Sequence, residues 1–143
     1  MEINEFQVPV EDRGVFVKFM AYLARADNKV SIEEKQAIDD IIFAWQLDEQ
    51  TIEEIYSILQ HGIILSELSS SFKNKKSAYL LIQELITLGH LDGKYGDEER
   101  KAVNKISTLL KITPKRIKEL EDWVAEGMAW RKKGIRLITP EGE

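Results

Sequence analysis

Carboxylates gather in two short stretches of the chain, "ADNKVSIEE" at residues 26–34 and "LDGKYGDEE" at residues 91–99. Asp27, Glu33 and Glu34 in the first, and Asp92, Glu98 and Glu99 in the second, are hard oxygen donors of the kind that calcium and magnesium prefer. Cation binding is therefore the first chemistry to test. An EF-hand loop takes ligands at positions 1, 3, 5, 7, 9 and 12, with glycine at 6 and a bidentate glutamate at 12. With Asp27 or Asp92 at position 5, Glu34 or Glu99 falls at position 12 and the back half of the loop fits. Positions 1 and 3 then become Leu23 and Arg25, or Leu88 and His90, none of them an oxygen donor. A loop started at Asp27 or Asp92 instead puts Ile38 or Val103 at position 12. Neither register is an EF-hand.

Two readings of these stretches stand side by side. In the first they only shape the chain: Asn28 and Gly93 tolerate a left-handed backbone, Val30 and Tyr95 anchor the turn, and Ser31 with Glu34 forms a capping box for the helix that follows. Glutamates at that end also complement the positive helix terminus. In the second reading the two turns approach each other and pool Asp27, Glu33, Glu34, Asp92, Glu98 and Glu99 into one acidic surface. With few fixed ligands per turn, such a site is hydrated and weak, taking a divalent cation such as calcium.

Other chemistries are poorly supplied. The chain has no cysteine, which removes thiol nucleophiles, disulfides and thiolate metal sites. His61 and His90 stand outside any metalloprotease or zinc-finger spacing. The serines at 69–71 lack the context of a nucleophile elbow, and there is no phosphate-cradling glycine loop. Basic clusters occur at Lys73, Lys75 and Lys76, at Lys111, Lys115, Arg116 and Lys118, and at Arg131, Lys132 and Lys133. The chain as a whole is acidic, with a net charge of −5, so a nucleic-acid module is not expected. No enzymatic activity is expected either.

The elements that must position the carboxylates are helices. Apolar residues recur at helical spacing through Phe16, Phe19, Met20 and Leu23, through Ile38, Ile41, Ile42 and Trp45, and through Ile52, Ile55, Tyr56 and Leu59. The spacing predicts helices near 10–26, 32–46, 49–60, 75–91, 97–110 and 114–126, the last opened by Thr113 and Pro114 as N-cap and N1 residues. Past Gly127 one more short helix through Trp130 is expected, ending before Gly134. Sliding the chain against itself by 65 positions lays residues 15–59 over 80–124 without a gap, with nine identities, four of them in the acidic stretches. The expected fold is all-α, a single-domain bundle of about six to eight helices over residues 1–143. It comprises two helix–loop–helix–turn–helix copies at about 15–59 and 80–124, a joint at 60–74 and a tail at 127–143.

The stretches "ADNKVSIEE" and "LDGKYGDEERKAVNKISTLLKITPKRIKEL" resemble the twice-repeated acidic motif and following helices of the TerB-like, tellurite-resistance family, over roughly residues 10–126. The resemblance implies an all-helical fold, no known catalysis and a role in bacterial response to tellurite and other stresses. It also implies divalent-cation binding through Asp27, Glu33, Glu34, Asp92, Glu98 and Glu99, and action with membrane-embedded protein partners. This chain departs from the family's glycine at Asn28, and from its capping Ser or Asp at Gly96. The acidic N-terminus lacks the features of a signal peptide, and apolar runs such as "IIFAW" are too short to cross a bilayer. A cytoplasmic protein without direct membrane insertion is therefore expected. Charge divides unevenly along it: residues 1–72 carry 14 acidic against 5 basic side chains, and residues 73–143 carry 11 against 15. An adaptor is the alternative function, its turns purely structural and its partners met by helix faces or by "MAWRKKGIRLI" near the C-terminus.

Overall fold

A computed structural model describes residues 6–25, 29–68, 72–90 and 95–140. Six α-helices account for most of them: α1 (Arg13–Ala24), α2 (Ile32–Trp45), α3 (Glu49–His61), α4 (Lys75–His90), α5 (Asp97–Leu109) and α6 (Pro114–Ile138). Short 3-10 turns at Val10–Asp12 and Leu65–Leu68 lead into α1 and follow α3. No strand occurs among the described residues, and the fold is all-α.

α1 and α4 form the centre. α1 is apolar nearly all round, which marks a helix packed on several sides. It packs against α2, α3, α4 and α5, while α4 also meets α2, α5 and α6. The two central helices bury matching positions 65 residues apart: Phe16 and Leu81, Val17 and Ile82, Met20 and Leu85, Ala21 and Ile86, Leu23 and Leu88. The outer helices add Ile38 and Ile55 on one side, and Val103 and Leu120 on the other. Helix starts keep the same offset, α2 at residue 32 and α5 at 97, α3 at 49 and α6 at 114.

The turns after α2 and α5 are alike in detail. Gln46 N–H donates to the Phe43 carbonyl at 3.2 Å and Leu47 N–H to the Ile42 carbonyl at 3.3 Å. Lys111 N–H donates to Thr108 at 3.1 Å and Ile112 N–H to Ser107 at 2.9 Å. Both are Schellman closures, which need a left-handed residue just past the helix. That residue is Gln46 (φ 51°) in one copy and Lys111 (φ 61°) in the other. A side chain in this region costs about 1–2 kcal/mol, part of which glycine recovers after its own entropic penalty. Gln46→Gly and Lys111→Gly are each expected to raise the stability measured by urea denaturation by roughly 0.5–1 kcal/mol.

α6 departs from expectation. Instead of ending near residue 126 and yielding to a separate short helix, it runs unbroken through Gly127 and Gly134 to Ile138. A glycine in an exposed helix costs about 1 kcal/mol but does not remove a hydrogen bond as proline does. With no proline between Pro114 and Pro140, the local penalty is too small to stop the helix. The other predicted helices agree within two to three residues at each end.

Candidate functional site

The first acidic corner joins α1 to α2. Ser31 Oγ accepts a hydrogen bond from the Glu34 amide at 3.0 Å, and Glu34 Oε1 accepts one from the Ser31 amide, also at 3.0 Å. This reciprocal pair satisfies two amides that a helix start would otherwise leave without partners. Its consequence is a sharp, stiff entry into α2. Glu34 lies almost wholly inside the protein, at 5% exposure, whereas Glu33 faces solvent.

The second corner, between α4 and α5, repeats half of that arrangement. Glu99 Oε1 accepts from the Gly96 amide at 3.2 Å, but glycine has no side chain to return the bond. Glu99 is again withdrawn, at 6% exposure, and Glu98 again faces outward, 3.7 Å from Lys101 Nζ. That exposed pair contributes little to stability. The second corner is braced differently, by Tyr95. Its hydroxyl donates to Glu121 Oε2 on α6 at 2.7 Å, and Arg100 Nε reaches the same oxygen at 3.4 Å. Burial, and then the bond to Glu121, push the Tyr95 phenol well above its ordinary pKa. His90, the last residue of α4, stacks on the Tyr95 ring with centroids 4.9 Å apart.

Of the six carboxylates singled out from sequence, Glu34 and Glu99 are thus drawn in at equivalent helix starts, and Glu33 and Glu98 stand on the surface beside them. Asp27 and Asp92 lie outside the described residues. So do residues 26–28 and 91–94, on which the pooling of both turns into one surface depends. Among the described residues no group of three His, Asp or Glu side chains is placed to hold a metal ion.

Two features were not legible from local sequence. Asp12 stands at the N-cap of α1 yet makes no side-chain bond to that helix. Its carboxylate instead accepts from the amides of Lys73 and Asn74 at 2.9 and 3.2 Å, from Asn74 Nδ2 at 3.0 Å and from Ser77 Oγ at 2.6 Å. It caps α4, a helix some 60 residues away. The second feature is an open cleft of about 940 Å³ between α1, α3 and the segment after α3. Lys18, Tyr22, Arg25, Glu54 and His61 line it. Lys18 pairs with Glu54 at 2.7 Å and Arg25 donates to the Leu59 carbonyl at 2.9 Å, so two of its cations are already engaged.

No helix among the described residues is long and apolar enough to cross a membrane. Comparison with known families gives a match over residues 13–122, more than half of the chain, to the model described as tellurite resistance protein TerB. No curated protein and no solved structure matches the chain.

Proposed function

The chain belongs to the TerB family, and from that premise we propose that it is a non-enzymatic binding module whose acidic corners take a divalent cation such as calcium. The observation that carries this reading is the burial of Glu34 and Glu99 at equivalent corners. A capping glutamate can do its work at the surface; drawing a carboxylate out of water costs several kcal/mol unless donors or a cation face it. Each accepts an amide bond from its own helix start, which fixes where its charge sits. Asp27 and Asp92 would supply further oxygens, and Glu33 and Glu98 would add field at the rim. With so few protein ligands, water fills the rest of the shell and affinity is low. The setting proposed is cytoplasmic, with a membrane-associated protein as partner, in a response to tellurite or related stress.

A second reading is favoured by the Ser31–Glu34 pair itself, which is complete as a cap without any ligand. There the turns are structural and the module is an adaptor. Calcium titration followed by heteronuclear NMR separates the two. Saturable shifts confined to both corners are expected, with a dissociation constant on the order of 10⁻⁴ to 10⁻³ M. Glu34→Gln and Glu99→Gln keep an acceptor oxygen for the cap but remove the charge. Each is expected to lose the shifts at its own corner while the melting temperature holds. If millimolar calcium moves no resonance, or the glutamine variants respond like the parent, the adaptor reading stands.

A further inference from the structure

The last turns of α6 leave the body of the molecule. Every residue from 129 to 140 is exposed, and a methyl group added at Gly127 or Gly134 would meet nothing within 4 Å. This segment also lies beyond residue 122, where the family match stops. Among the described residues it is a helix without a protein neighbour, and its composition is not that of a solvated one. Trp130, Leu137 and Ile138 are 79%, 70% and 81% exposed.

At about 100° per residue, Leu137, Trp130, Gly134 and Ile138 share one arc of roughly 100°. Lys133 borders that arc on one side and Arg131 on the other, while Lys132 and Arg136 lie opposite. No acidic residue occurs between Glu126 and Glu141, so residues 127–140 carry +4 while the rest of the chain carries −9. We propose that residues 127–138 of α6 form a peripheral docking helix for an anionic lipid surface.

The chemistry of the segment selects lipid over a protein groove. A protein partner would need a pocket shaped to Trp130 and the aliphatic side chains beyond it, whereas a bilayer interface accepts any apolar arc laid flat upon it. Basic residues on both borders place ammonium and guanidinium groups level with the headgroup phosphates while their stems cover apolar surface. A tryptophan with one apolar and one polar edge suits the same depth. The acidic body is repelled by an anionic surface, so charge alone orients the molecule helix-first. At about 18 Å for twelve residues, the segment lies on the membrane and does not cross it.

Sedimentation of the full chain with vesicles of phosphatidylglycerol and phosphatidylcholine, against phosphatidylcholine alone, tests this. Binding is expected on the anionic vesicles only, weakening as salt rises. A blue shift of tryptophan emission should accompany binding and vanish in Trp130→Phe. Removing three charges with Arg131→Gln, Lys132→Gln and Lys133→Gln is expected to cut partitioning on the order of 100-fold. Leu137→Ser with Ile138→Ser should cut it at least about tenfold. All these sites are exposed, so the melting temperature should not change. The proposal is overturned if anionic vesicles bring down no more protein than neutral ones, or if the charge-removed chain binds as well as the parent. It is equally overturned if binding to vesicles is absent and light scattering shows self-association that the same three substitutions abolish, because the helix would then dock on a second copy.

Discussion

Replacing Asp12 by alanine is expected to lower the melting temperature by about 10 °C, which corresponds to roughly 3 kcal/mol for a domain of this size. Asp12 is 2% exposed and receives four donors from the start of α4, two of them backbone amides. Hydrogen bonds to a charged acceptor contribute more than neutral ones, and the loss of an N-cap alone costs about 1–2 kcal/mol. Alanine leaves those donors facing a buried gap. The same carboxylate gives stability a pH dependence whose sign follows from its surroundings. Burial pushes its pKa up, but the bonds from Ser77, Lys73 and Asn74 outweigh burial and hold it below the ordinary value of 3.8. A folded-state pKa below the unfolded one means that this contribution is complete above about pH 4 and fades as pH falls through the folded value. Acid titration of the melting temperature should therefore show a shallower fall for Asp12→Ala than for the parent. Equal slopes would mean that the carboxylate is not the linked group.

The reach of Asp12 also shows what sequence reading can and cannot supply. Caps that work within one turn were legible: Ser31 with Glu34, and Thr113 before Pro114, both sit where the helices begin, and their partners lie three residues away. The apolar spacing of Phe16, Phe19, Met20 and Leu23 likewise placed a helix, because period alone decides which face is buried. Asp12 carries no such local signal, since its partners are 61 to 65 residues distant. It meets Ser77, the residue that the 65-residue offset lays over it, so the two central helices start side by side. The site was legible to the extent that carboxylates at two helix starts could be named. Which of them are withdrawn could not be read, because Glu33 and Glu34 are identical in type and only the helix phase, fixed by packing, turns one inward. α6 continues past the end expected from Gly127 and Gly134 because neither glycine has a left-handed closure or a closely following proline to enforce a stop.

Gly89→Ala is expected to destabilise the protein by about 2 kcal/mol even though alanine is the better helix former. Gly89 lies on the last turn of α4, and a Cβ there would stand 2.8 Å from Tyr95 Cδ1. The ring cannot simply swing aside. Its hydroxyl is bonded to Glu121 at 2.7 Å, His90 stacks on one face, and the Arg100 guanidinium sits 5.5 Å from its centroid. Adding the methyl must therefore break the Tyr95–Glu121 bond or push the second corner away from α4. The first copy shows how the conflict is avoided, since the positions 65 residues earlier hold Ala24 and Val30, a larger residue on the helix against a smaller one in the turn. Tyr95→Val alone should also destabilise, through the lost bond and the space left behind. In the double variant the methyl of alanine occupies space that the ring has vacated, so the two losses should fall short of their sum by at least about 1 kcal/mol in urea denaturation. Additive losses would mean that Gly89 and Tyr95 do not constrain each other. Coupling of that size would locate the stiffness of the second corner in the Tyr95–Glu121 brace, which does for Gly96 and Glu99 what the Ser31 hydroxyl does for the first.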